Sequence, residues 1–249
     1  HAGSLRGLAL VFSGQVAEGI GYLDSFVSGR LDPTLDFSPV VVGSLAHAHV
    51  LTGAPHKALN VLEQYPEDAD AGVIGVGDRL AAKSLALLQA GRVDEAKDCL
   101  ERLAAVPDAP RTRPAATSIA AVAALLVGDF ATASEVAHEV VGAHWRTRWD
   151  LMLAHLVLSS VAATEDDSAA ALMHLGRIRT EVHASDDRLA RAVCAVFEAE
   201  LALRLETTTV VPVESQVFTG LGVAMTGWWE LARACLEAVP ATRVPAGGA

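Results

Sequence analysis

Several residue types are scarce in this chain of 249 residues, and each shortage argues against a class of protein. Aromatic residues make up only 5%, so the core must be assembled from many small contacts. The three cysteines, Cys99, Cys194 and Cys235, are odd in number and far apart, which argues against a disulfide framework and favours a reducing cytoplasm. No run of eighteen uncharged apolar residues occurs, so we expect no membrane association.

Positive charge is also scarce. The chain has 19 lysines and arginines against 30 acidic residues, which gives a formal net charge of -11. A surface of this sign repels phosphate backbones, so we expect no direct binding of nucleic acid. A partner with a basic patch fits the charge better.

Glycine, in contrast, recurs at a regular spacing. Gly14, Gly53, Gly91 and Gly128 are separated by 39, 38 and 37 residues, and Gly227 begins a fifth copy of the pattern. A small residue follows each glycine after five positions, and an apolar residue follows four positions later. These pairs are Gly19/Leu23, Ala58/Leu62, Ala96/Leu100, Ala133/Ala137 and Ala232/Leu236. Periods of this length predict stacked helical hairpins in which each unit contacts its neighbours.

The copy around Gly91 illustrates the predicted unit. An apolar helix over Leu80–Ala90 ends at Gly91, because glycine enters the left-handed conformation that terminates helices. A second, amphipathic helix begins near Val93, and Pro107 closes the unit. The small residue five positions after the glycine allows the two helices to cross at close range.

The pattern divides the chain into segments. We predict one array over residues 1–240, with regular repeats at 5–142, irregular helices at 145–206 and a final hairpin at 215–240, followed by a frayed tail at 241–249. Two helices per repeat give roughly twelve helices. The predicted fold is all-α, a right-handed α-solenoid of about six hairpins.

The spacing of glycine, small residue and closing proline resembles the tetratricopeptide repeat, whose period is about 34 residues. The longer period here is similar to the repeat region of MalT-like, LuxR-type bacterial regulators. The resemblance covers Leu5–Val141 and Gly227–Pro240. In that family the array lies between an ATPase domain and a helix-turn-helix domain, so the resemblance implies a region that senses a ligand or a protein within a longer chain.

Motifs for catalysis or metal binding are incomplete in this sequence. Lys83-Ser lacks the glycines of a phosphate-binding loop, and the glycines of Gly72–Gly77 have the wrong order for a dinucleotide site, so we interpret that segment as an inter-repeat loop. His138-Glu lacks the second histidine of a zinc helix, because Gly142 stands in its place. We therefore expect no catalytic residue, no cofactor and no metal, and rank an α-helical enzyme last.

One segment combines aromatic and basic residues. In His144–Trp149, Trp145 and Trp149 stand four apart and Arg146 and Arg148 lie between them. Tryptophan and arginine are enriched in binding hot spots and can together hold a ring or an anion. This basic patch would be extended by two further arginines, Arg111 and Arg113. The alternative interpretation is that the tryptophans fill an irregular joint between repeats.

These observations predict a non-enzymatic, cytoplasmic scaffold that binds a small effector or a protein segment in its concave groove. The alternative is a free-standing tetratricopeptide-like adaptor for protein interactions. Trp228 and Trp229 are adjacent, so one should point inward and the other outward. An exposed tryptophan there would indicate a contact with a neighbouring domain or with a second copy of the chain.

Overall fold

The structure is a computed structural model, and it consists of α-helices joined by short turns in all the residues it describes. These residues are 2–29, 39–65, 72–106, 112–144, 146–205, 221 and 225–238. No strand occurs among them. The all-α fold class is therefore confirmed, whereas the predicted tail at 241–249 and the first half of the final hairpin lie almost wholly outside the described residues.

Twelve helices are present in the described ranges, in agreement with the predicted number. They are α1 (Ala2–Phe12), α2 (Val16–Val27), α3 (Pro39–Leu51), α4 (Pro55–Gln64), α5 (Gly72–Gln89), α6 (Val93–Ala104), α7 (Thr112–Leu126), α8 (Phe130–Gly142), α9 (Arg148–Thr164), α10 (Ser168–His183), α11 (Arg188–Leu205) and α12 (Thr226–Glu237).

The four regularly spaced glycines end the first helix of each hairpin, as predicted. Gly14, Gly53, Gly91 and Gly128 have φ between +69° and +88°, in the left-handed region. At each turn the residue after the glycine donates its N–H to a carbonyl five positions earlier, for example Arg92 to Leu87 at 2.9 Å. This is the hydrogen bond that closes a Schellman motif.

A fifth turn of the same kind follows α9, where the sequence has no glycine. Asp166 takes the left-handed conformation there, with φ of 63°, and the N–H of Asp167 bonds to the carbonyl of Ala162 at 2.9 Å. Asp166 lies 38 residues after Gly128, and the buried residues Ala171 and Leu175 follow at the spacing of the other repeats. Aspartate is one of the few residues that adopt this conformation readily, which explains how the repeat continues without glycine.

The small residue of each repeat lies at a close helix crossing. Ala58, Ala96 and Ala133 are fully buried. A Cβ added to Gly19 would lie 2.7 Å from the carbonyl oxygen of Gly7 on the neighbouring helix. The prediction that this position is chosen for size is therefore confirmed.

Consecutive helices pack as antiparallel pairs, and the first helices of the pairs also pack on one another. Thus α3 contacts α1 and α5, α7 contacts α5 and α9, and α9 contacts α11. The second helices lie on the outside of this row, each packed against the first helix of the next pair. In addition, α1 contacts α11, so the two ends of the row meet. In the predicted array each unit touches only its neighbours, whereas this contact joins units that are far apart in the row.

The last helix makes long-range contacts that the repeat pattern does not predict. α12 packs against α5, α7, α9 and α11. Gly227 was interpreted as the start of a fifth repeat, but it lies inside α12, and its N–H donates to the carbonyl of Gly53 at 2.8 Å. The left-handed residue before the helix is Met225, with φ of 54°. Glycine is required at 227 for close approach, because a Cβ would lie 2.8 Å from Cδ of Pro55.

One further prediction about local structure is wrong. Gly72–Gly77 was expected to be a loop between repeats, but it forms the first turns of α5. Gly75 and Gly77 are buried in this helix. Intrinsic propensity disfavours glycine in helices by about 1 kcal/mol per residue, and the buried position of this helix outweighs that preference.

Candidate functional site

The aromatic and basic segment predicted as a site is only partly described by the structure. Trp145 and Arg111 lie outside the described residues, so their contribution stays a prediction. Arg113, Arg146 and Arg148 are exposed, and the Arg146 guanidinium donates to the carbonyl of Ala143. Arg146 and Arg148 therefore present positive charge at the surface where α9 begins, and Arg113 does so at the start of α7.

Trp149 packs between helices, which is the role expected if the tryptophans fill a joint between repeats. Its indole N–H donates to the carboxylate of Asp187 at 3.1 Å, just before α11 begins. Its ring lies between Phe12, at 6.4 Å, and Trp228, at 5.9 Å between centroids. Trp149 is partly buried and thus joins α9 to α1, α11 and α12.

Trp228 lies at the centre of these contacts. Its side chain is fully buried, and its indole N–H donates to the carbonyl of Leu51 at 2.9 Å. That carbonyl belongs to the last turn of α3, where backbone acceptors lack partners within the helix. Trp229 is partly buried, so the predicted difference between the two tryptophans is one of degree.

A pair of histidines lies between α9 and α10. Nδ1 of His155 and Nδ1 of His174 are 3.1 Å apart, so one ring donates and the other accepts. Burial is the main cause that lowers the pKa of His155 to about 4, and the charges of His174, Arg177, Arg146 and His138 lower it further. His155 is therefore neutral at pH 7, burial also lowers the pKa of His174, and the two rings form a partly buried hydrogen bond between the helices.

An open cleft lies on the outer side of the row, where α4 and α6 both pack on α5. It has a volume of about 500 Å³, and we call it the basic cleft. Its lining consists of Leu59, Leu62, Glu63, Arg79, Lys83, Leu87, Arg92, Glu95 and Arg102. Four cations and two carboxylates give this lining a formal charge of +2, in a chain whose net charge is -11.

The stripe Arg79, Lys83 and Leu87 forms the floor of the basic cleft, because residues four apart lie on one helix face. Arg79 is almost fully buried and donates to the backbone carbonyls of Leu62 and Tyr65 at the end of α4. A guanidinium fixed in this way holds its positive charge at a defined place. Sequence reasoning considered Lys83 only as a failed phosphate-loop lysine and therefore missed the cleft.

A second cleft of about 580 Å³ lies between α8 and α9, and we call it the acidic cleft. Its lining contains the carboxylates of Glu135 and Glu165, together with Ser134 and His138. The two clefts occur at related places in different repeats but have opposite charge. Charge, and not the helical architecture, therefore distinguishes their possible ligands.

Other kinds of site find little support in the described ranges. Among the residues that the structure describes, no group of three or more histidine, cysteine, aspartate or glutamate side chains is placed to hold a metal ion. None of the described helices combines the length and the apolar character needed to cross a bilayer. The three cysteines are buried and form no disulfide with one another, and burial raises the pKa of the Cys235 thiol to about 12, so this thiol is not activated as a nucleophile.

Comparisons with protein-family models, with curated proteins and with solved structures give no match for this chain.

Proposed function

We propose that this chain is a non-enzymatic helical-repeat scaffold that forms the ligand- or protein-sensing region of a larger LuxR-type bacterial transcriptional regulator. The observation that supports the scaffold proposal is a turn that occurs five times, at positions 14, 53, 91, 128 and 166, with the same backbone conformation. Repeats of this kind build extended surfaces for binding. The proposed fold is a right-handed α-solenoid of about six tetratricopeptide-like hairpins, and the proposed location is the cytoplasm.

The packing of α12 bears on where a ligand binds. Because α12 lies against α5, α7, α9 and α11, it takes up space on the inner side of the row. Its buried Trp228 makes this helix part of the core. We therefore favour the outer basic cleft over the concave groove as the place where the effector or protein segment binds.

The free-standing adaptor is the second candidate, and one observation favours it. The contact between α1 and α11 brings the first and last parts of the row together, which produces a self-contained unit. A middle region of a regulator would instead pass on a signal through its ends. The two candidates therefore differ in whether other domains are joined to this one.

The reading frame on both sides of this segment tests the choice. A regulator requires a nucleotide-binding ATPase domain before the repeats and a helix-turn-helix domain after them in the same frame. A frame that contains the repeats alone contradicts the regulator and supports the adaptor.

A thermal-shift screen with sugars, nucleotides and acidic metabolites tests binding by the full chain. Arg148→Ala in the same screen separates the aromatic and basic segment from the basic cleft. Loss of a ligand-induced shift in this variant would place the ligand at the start of α9.

A further inference from the structure

The repeat itself indicates which residues of α5 are unusual. α3, α5, α7 and α9 all pack against the preceding repeat, so equivalent positions can be compared by counting back from each left-handed turn. Eight and twelve positions before the turn, α5 carries Lys83 and Arg79. The corresponding residues of the other three helices are Leu45 and Val41, Ala120 and Ala116, and Leu158 and Ala154.

Both positions are thus apolar in these three helices, whereas α1 carries the exposed Arg6 eight positions before Gly14. Leu45 and Leu158 are buried, with exposures of 2% and 4%. Replacing such residues by cations removes apolar contacts and buries part of two charges, which is unfavourable for folding. Departures from a structural pattern of this kind are expected at functional sites.

The surroundings of these two cations form a pocket with a defined distribution of charge. α5 and α6 are antiparallel about Gly91, so Arg102 lies towards the Arg79 end of the cleft and Arg92 lies at the other end. Lys83 is between them, on the floor. The apolar part of the lining is supplied by Leu59, Leu62 and Leu87.

The charges of the cleft are compensated unequally. Arg92 forms a two-point ion pair with Glu95, in which both N···O distances are 2.6 Å. Lys83 is half-buried as a residue, and its ammonium makes no hydrogen bond or ion pair within the described part of the chain. Lys83 lies close enough to Glu95 to help lower the pKa of that carboxyl, although the hydrogen bond from Arg92 is the main cause.

We propose that the basic cleft binds a small organic anion that carries two negative charges and an apolar or sugar body. The lining charge of +2 balances such a ligand, and a volume of about 500 Å³ is suited to a metabolite. Lys83 contacts the anionic group directly, while Arg79 and Arg102 supply positive potential at one end. This inference rests on the proposed function and names the ligand class of the scaffold.

Two sources can provide this chemistry, a phosphate monoester or a dicarboxylate. Titration calorimetry at low salt with the full chain uses glucose 6-phosphate and adipate as probes, with glucose and adipamide as uncharged counterparts. We expect one anion to bind with a Kd of about 1 mM or tighter and its uncharged counterpart to show no binding. The probe that binds identifies the source of the charge.

Lys83→Leu is the decisive variant, because leucine is the residue that α3 and α9 carry at the same repeat position. The variant should fold at least as well as the parent protein and bind the anion at least tenfold more weakly. Lys97→Gln is the matched control, since Lys97 is exposed on α6 and does not line the cleft. Its affinity should stay within about twofold of the parent protein.

Absence of binding by both anions overturns this proposal, as does equal weakening by Lys83→Leu and Lys97→Gln, which would indicate general charge attraction. Neither result changes the test of the proposed function. The reading frame decides whether the scaffold is part of a longer regulator. A lack of anion binding by the cleft and a lack of regulator domains are therefore separate results.

Discussion

The two sides of the row of first helices differ in what they contain. The inner side is packed by α12, through the fully buried ring of Trp228 and the close approach of Gly53 and Gly227. The outer side is covered by the second helices, and it includes the His155–His174 pair and the basic cleft.

This difference indicates that the inner side contributes mainly to stability and the outer side to binding. Tight apolar contacts on the inner side tie distant repeats together, because α12 touches helices from four parts of the chain. Buried polar groups on the outer side reduce the gain from packing and provide chemical specificity instead. We expect substitutions on the inner side to change stability most, and those in the outer cleft to change binding.

The largest expected effect is that of Trp228→Ala. The substitution removes a fully buried indole and leaves the carbonyl of Leu51 without its donor, so unfolding should require about 4 kcal/mol less free energy. Urea unfolding followed by circular dichroism measures the loss. Trp229→Ala is the control on the same helix, and its cost should be less than half as large because that ring is only partly buried. Equal costs would contradict the central position of Trp228.

The second prediction concerns the loss of folding stability in acid, which is caused by His155 on the outer side. The folded-state pKa of His155 is about 4 and its ordinary value is 6.5, so the unfolded chain binds a proton that the folded chain rejects. Stability is therefore retained above pH 6.5 and is lost as the pH falls from 6.5 to about 4. Because the histidine pair is only partly buried and solvent screens its charge, the loss from this group is about 1–2 kcal/mol.

His155→Gln isolates this contribution, because glutamine keeps a polar side chain and does not titrate. His47 and His49, whose pKa values are lowered to about 4 mainly by burial, still titrate in the variant and act as an internal reference. Urea unfolding at pH 7, 6, 5 and 4 should give a shallower dependence for the variant. Parallel curves for the two proteins would show that His155 is not a source of acid sensitivity.

A third prediction compares two glycines with the same backbone conformation. The left-handed backbone conformation by itself costs an alanine about 1 kcal/mol of stability at either Gly53 or Gly91, because both residues have φ near +70°. A Cβ at Gly53 would lie 2.6 Å from the carbonyl carbon of Met225, whereas one at Gly91 meets nothing within 4 Å. Gly53→Ala should therefore cost about 2 kcal/mol more than Gly91→Ala in chemical unfolding. Similar losses would mean that α12 does not press on this turn.

Local features of the fold could be predicted from sequence because they depend on neighbouring residues. The glycine turns and the small residues at helix crossings are of this kind. The packing of α12 depends on contacts across the whole chain, for example between Trp228 and Leu51, and no local pattern reports it. Gly227 was misinterpreted for the same reason, since its role is close approach to another turn and not the end of a helix.

The candidate site was harder to predict. Residue type places Trp149 in a binding segment, whereas its contacts with Asp187, Phe12 and Trp228 depend on parts of the chain that are far away in sequence. Lys83 could have been found by aligning the repeats and comparing it with Leu45 and Leu158. That comparison becomes complete only when the turn at Asp166 is recognised, because α9 has no glycine from which to count.

The smallest expected effect tests this equivalence of repeats. If Asp166 holds the position that glycine holds in the other turns, Asp166→Gly should raise the free energy of unfolding by about 0.5 kcal/mol, since φ of 63° carries no steric cost for glycine. Asp166→Asn controls for removal of the negative charge and should give a smaller gain. Asp167→Ala should act in the opposite direction and cost about 1 kcal/mol, because the Asp167 carboxylate accepts from the N–H of Ala170 at the start of α10. A loss of stability in Asp166→Gly would contradict the placement of α9 and α10 in the repeat, and with it the comparison that singles out Lys83.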